Sequence, residues 1–165
     1  VSKIGNLYIR YFHKYRVGTI IKHIPGHGLS KKDSHINLPI IKEKIPLLNK
    51  IDFYPFKNKK STMAMTAHIV YKSIDPKNTA THSKDVIKLI RNKISFNNII
   101  ISDDISMKAL KYSIKENTTR AFTAGCNLVL HCNGNYREMI NVAKNSPLIN
   151  NFILKKTSNL MNIVR

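Results

Sequence analysis

The sequence predicts an α/β fold, a parallel sheet covered by helices, of the (β/α)8-barrel type and here an incomplete barrel of about four βα units. Three observations lead there. Short runs of branched and apolar residues alternate with longer amphipathic stretches, as in successive βα units. The apolar runs lack the polar alternation of a half-exposed strand, so each reads as a strand buried on both faces. Titratable residues recur where those runs end, as they do where parallel strands converge on one barrel mouth. A doubly wound open sheet also places its site at the strand ends, but no GxGxxG or P-loop supports it.

The chain opens at Val1 in what reads as the helix before a fifth barrel strand. Strands are expected at 18–22, 63–69, 98–102 and 128–131. The segment 41–56 is expected to be helical in part, interrupted by Pro46 and Pro55. Ser83 can cap a helix through Val86, Ile87 and Ile90, whose spacing is helical. Ser113 begins another, which runs through Arg120, Ala121 and Phe122 to a stop at Gly125. A third helix is expected over 136–144. A complete barrel takes eight units and about 250 residues, whereas this chain has 165. The expectation is therefore one domain, 1–165, forming the carboxyl half of a barrel: a fragment, a split gene product or a remnant. Both sheet edges would then be open to pairing with another chain.

The formal net charge is +19, which ordinarily points to nucleic acid. Lysine outnumbers arginine 22 to 6, however, whereas groove and phosphate-fork contacts favour arginine. The lysines are also scattered among asparagines and isoleucines, so A/T-rich codon bias explains the charge more economically than a specific nucleic-acid partner. No apolar run is long enough to span a bilayer, and the start does not resemble a signal peptide. Cys126 and Cys132 lack the spacing of a zinc site or disulfide framework. A cytoplasmic location without a membrane partner is expected.

The candidate chemistry concentrates in Ile21-Lys22-His23-Ile24-Pro25-Gly26-His27-Gly28 and the following Asp33-Ser34-His35. A histidine beside a carboxylate on a glycine-rich loop can transfer protons near neutral pH. Any one of these residues, taken alone, reads as an idle surface residue; the run as a whole does not. At 98–104 a branched run ends in Ser102-Asp103-Asp104, and an ionised carboxylate at a strand end can act as a nucleophile. Residues alone divide the two aspartates evenly, and an Asp-Asp cap after a buried strand is common. His68 reads equally well as a pocket residue and as a buried, hydrogen-bonded one.

These motifs recur in a fixed order. KH-x-PGHG and DSH are followed by Met65-Thr66-Ala67-His68-Ile69-Val70-Tyr71, Asp75-Pro76 and Ala80-Thr81-x-Ser83. Next come Ile101-Ser102-Asp103-Asp104-Ile105-Ser106-Met107, Ala124-Gly125-Cys126-Asn127 and Cys132-Asn133. From about Ile21 to Asn133 the chain thus resembles the family 3 glycoside hydrolases, specifically the bacterial β-N-acetylglucosaminidases that recycle cell-wall fragments. The resemblance implies a retaining hydrolase acting on N-acetylglucosamine-containing peptidoglycan fragments, with no metal and no cofactor. It implies Asp103 as nucleophile, His35 as general acid and base, and Asp33 as the group that orients His35. Lys22 and His23 would hydrogen-bond the sugar hydroxyls, and His27 would shape the loop. Asn127 departs from the aspartate of the family's Gly-Cys-Asp motif, which puts in doubt any role needing a charge there. The family's other sugar-binding residues would lie in the missing half, supplied by a longer chain or by a partner chain.

Overall fold

The computed structural model describes residues 1–30 and 38–165. The chain runs α1 (Ser2–Lys14), β1 (Ile20–Ile24), β2 (Ile40–Ile41) and α2 (Ile45–Lys50), then a 3-10 turn at Tyr54–Phe56. It continues through β3 (Met63–Thr66), β4 (Val70–Tyr71), a second 3-10 turn at Ala80–His82, α3 (Lys84–Asn92) and β5 (Ile99–Asp104). It ends with α4 (Ile114–Ala124), β6 (Leu128–Leu130), α5 (Tyr136–Lys144) and α6 (Asn151–Val164).

The main sheet has the order β1-β3-β5-β6, and every pairing in it is parallel. Strands adjacent in sequence order, each with a helical return, are the pattern of a barrel wall. The wall does not close: β1 and β6 are its two edges among the described residues. The expected second strand is cut short at Thr66. The chain then crosses to β4, which pairs with β2 in a separate two-stranded parallel sheet. β5 runs two residues further than expected, because Asp104 pairs with Leu130 after an irregularity in the ladder. β1 is displaced in the same sense, so that His23 and Ile24 lie inside the strand.

Register places Ile21, Ala64 and Ile100 in one row on one face. That face packs against Val86, Ile87 and Ile90 of α3 and Ala121 and Ala124 of α4, making the principal core. The opposite face carries Lys22, Met65, Ile101 and Leu128 in a row. Lys22 is exposed there and the three apolar residues are only half-buried. Helix ends follow the local signals. Ser83 accepts from the amide of Val86, and Ser113 with Glu116 forms a reciprocal capping box. Gly125 closes α4 at φ +115°, a left-handed conformation that suits glycine. α6, which the sequence reading missed, runs close to the strand beginnings: Lys156 Nζ donates to Asn98 Oδ1 at 2.8 Å, and Leu160 abuts Gly18. Among the described residues no helix is long and apolar enough to cross a membrane.

Candidate active site at the carboxyl ends of the strands

β1 and β5 bring two of the expected site residues together. His23 Nε2 lies 3.5 Å from Asp103 Oδ2, with the histidine side chain about 29% exposed and the aspartate 14%. Both groups are thus partly withdrawn from water yet reachable. Burial lowers the His23 pKa, outweighing the opposing pull of Asp103, and the nearby Lys22 and His27 push it further down. His23 is therefore a neutral donor at pH 7. His27 sits edge-on to its ring, with centroids 6.1 Å apart.

The two adjacent aspartates have different surroundings. Asp103 Oδ1 accepts from the Asp104 amide at 2.8 Å, which fixes the carboxylate while Oδ2 faces His23. Asp104 is occupied in holding the loop together. Its Oδ1 accepts from the Ser106 amide (2.9 Å), the Ser106 hydroxyl (2.8 Å) and the Cys132 amide (3.2 Å), tying β5 to β6. This is the hydrogen-bonding role that its neighbour lacks.

His68 is buried, and both ring nitrogens are satisfied. Nε2 lies 2.9 Å from the Asp104 carbonyl and Nδ1 2.8 Å from Thr81 Oγ1. A carbonyl only accepts, so the proton sits on Nε2 and Thr81 donates to Nδ1. Thr66 then donates to Thr81 Oγ1, at 2.8 Å. This chain of bonds steadies the end of β5 that carries Asp103. Burial lowers the His68 pKa and keeps the ring neutral.

The turn after β1 is anchored by two residues the sequence reading did not select. Asp52 Oδ1 accepts from the Leu29 amide at 3.1 Å, and the Tyr71 hydroxyl donates to the Gly26 carbonyl. A Cβ on Gly26 would come within 2.5 Å of Asp52 Cβ, and φ there is +154°. No local sequence signal marks Asp52, because its role exists only once α2 and the turn have met. Asn127 Oδ1 accepts from the Ile100 amide and from Arg91 Nη2, both at 2.8 Å, so its amide serves packing. His131 pairs with Glu138 of α5 at 2.8 Å. Asp33 and His35 lie outside the described residues. Among the described residues, no cluster of three or more histidine, cysteine or acidic side chains is placed to hold a metal ion.

Comparison with known proteins follows this geometry. A family model described as the glycosyl hydrolase family 3 N terminal domain matches residues 1–163. A beta-hexosaminidase of Idiomarina loihiensis is 31% identical over 137 residues, which cover 81% of this chain and 42% of the relative. One from Nitrosomonas eutropha is 37% identical over 117 residues, covering 68% of this chain and 34% of the relative. Among solved structures, a family 3 beta-N-acetylglucosaminidase from Paenibacillus sp. superposes with TM-score 0.83 at 25% identity, over 98% of this chain and 33% of that one. Native NagZ from Neisseria gonorrhoeae superposes with TM-score 0.74 at 29% identity, over 87% and 42%. The chain thus spans well under half the length of these relatives.

Proposed function

The chain belongs to glycosyl hydrolase family 3, and on that premise we propose that it forms the carboxyl half of the barrel of a retaining β-N-acetylglucosaminidase. The substrate would be terminal β-linked N-acetylglucosamine on peptidoglycan fragments, and the setting the cytoplasm. Asp103 carries the reading. Its Oδ2 faces the mouth beside His23, while Asp104 is held by Ser106 and Cys132.

In the first step the Asp103 carboxylate attacks the anomeric carbon as the bond to the leaving oxygen breaks, and His35 gives that oxygen a proton. Asp33 orients the His35 ring and stabilises its protonated form. In the second step His35 takes a proton from water, which displaces Asp103 and restores the configuration at the anomeric carbon. Lys22 and neutral His23 donate to sugar hydroxyls; the lowered pKa of His23 supports that role.

The test uses a chain completed by the remaining barrel strands. Asp103→Ala abolishes turnover of aryl β-N-acetylglucosaminides, because no covalent intermediate forms. His35→Ala slows poor leaving groups most, and azide partly restores its turnover by intercepting the glycosyl-enzyme. Equal loss on good and poor leaving groups removes His35 as general acid. Activity retained in Asp103→Ala moves the nucleophile to Asp104 or discards the mechanism.

A further inference from the structure

The side of α1 that carries Lys3, Asn6, Ile9 and Arg10 meets the segment 57–60 across a cavity of about 460 Å3, whose remaining lining is Asn58 and Lys60. That volume falls within the about 300–1,000 Å3 usual for small-molecule sites. Positions 3, 6 and 10 follow one another at helical spacing and so share one face of α1. The lining has no residue in common with the candidate active site. Residues 57–60 precede β3, whereas Asp103 lies near the end of β5.

The polar groups of this cavity have no partners within the chain. The side chains of Lys3, Asn6, Arg10, Asn58 and Lys60 make no hydrogen bond or ion pair among the described residues. No carboxylate lines the cavity, and the sequence has no acidic residue before Asp33 or between Asp52 and Asp75. Lys59, between two of the lining residues, adds an ammonium with only neutral acceptors, Ser2 Oγ at 2.6 Å and the Lys57 carbonyl at 3.3 Å. Burial lowers its pKa, as befits a cation drawn from water without a counter-ion. Scattered lysines alone would give only a positive surface. Here two side-chain amides and the Arg10 guanidinium stand among them. Such a set of donors matches an anion with several acceptor oxygens and more than one negative charge. A carboxylate would offset only one of the lining cations. Ile9, 5% exposed, leaves an apolar strip of wall for a carbon body.

We propose that this cavity binds the phosphate of a small phosphomonoester, whose oxygens accept from the Arg10 guanidinium, the Lys60 ammonium and the Asn6 and Asn58 side-chain amides. Lys3 and Lys59 add charge, and Ile9 meets the carbon body of the ester. Binding here is independent of the chemistry assigned to Asp103.

The experiment is an NMR titration of the intact, 15N-labelled chain with sodium phosphate at about pH 7.5, where phosphate is mostly dianionic. Sodium chloride holds the ionic strength constant, so that screening does not change along the titration. The side-chain amide signals of Asn6 and Asn58 shift saturably with phosphate and do not with acetate. Arg10 is exposed, so its replacement leaves the packing intact. Arg10→Gln weakens phosphate about tenfold. Lys144→Gln, which removes the same charge from α5, leaves the affinity unchanged. Shifts that never saturate, or equal weakening in the two variants, overturn the proposal and leave diffuse charge only. A second arm separates the sources of the phosphate. Glycerol phosphate competes at least as well as inorganic phosphate, and a single-stranded oligothymidylate at equal phosphate concentration does not. Displacement by the oligonucleotide overturns the monoester assignment and makes the cavity a nucleic-acid contact.

Discussion

Asp103 and Asp104 show how little two neighbouring, chemically identical side chains need share. Asp104 accepts three hydrogen bonds on one oxygen and joins two strands, whereas Asp103 presents an oxygen to His23. Burial acts in a common direction on three histidines: His23 and His68 are lowered, and His82 falls from 6.5 to about 4. Well above pH 6.5 neither the folded nor the unfolded chain protonates them, and their contribution to stability is complete. As pH falls from 6.5 toward 4 the unfolded chain takes up protons first, so stability declines. Asp52 works against this trend, since burial raises its pKa and the folded state then holds that proton more firmly. Chemical denaturation between pH 7 and pH 4.5 should show stability falling, with His82 contributing about 3 kcal/mol at most. In His82→Phe the slope should flatten; an unchanged slope would place the acid sensitivity elsewhere.

At the scale of elements, α4 illustrates how a local signal acts at a distance. Ser113 and Glu116 close its first turn, and inside it Asn117 Nδ2 donates to the carbonyls of Ile105 and Tyr112, both at 3.1 Å. The helix start therefore holds the loop that follows Asp103. Ser113→Ala removes the side-chain acceptor for the Glu116 amide and should cost about 1 kcal/mol. Thermal melts should show a lower Tm, with amide-exchange protection of 105–112 falling more than that of α3. Uniform loss across the molecule would mean that the cap only stabilises its own turn. Ser83, Ser113 and Gly125 were legible from sequence because capping is decided within a few residues. β2 and β4 were not, since each is only two residues long and exists only through the other.

For the whole molecule, two surface properties compete. The row Lys22, Met65, Ile101 and Leu128 leaves apolar surface partly uncovered, and Leu7, Tyr8 and Tyr11 of α1 are more than half exposed. Such surface drives association, while +19 of net charge opposes it. Light scattering should find self-association that grows with added salt, because screening removes the repulsion and leaves the hydrophobic term. A cooperative, monodisperse monomer at high salt would count against the open-wall picture. The same diffuse charge should give nucleic-acid binding that is weak, indifferent to sequence and lost steeply with salt. Filter binding that picks out one sequence tightly at physiological salt would contradict the glycosidase reading.

The sequence by itself determined the class of the fold, the order of its parallel strands, the helix caps and the Lys22–His23 and Asp103 neighbourhoods. Those features rest on hydrophobic periodicity, short-range capping and ordered motifs, all written within a few residues of one another. Tertiary structure alone decided that His23 faces Asp103, that Asp52 lies against the Gly26 turn with Tyr71 on its carbonyl, and that His68 is satisfied between Thr81 and the Asp104 backbone. Each of these contacts joins segments remote in sequence, so its geometry appears only when the strands pair and the helices settle on them.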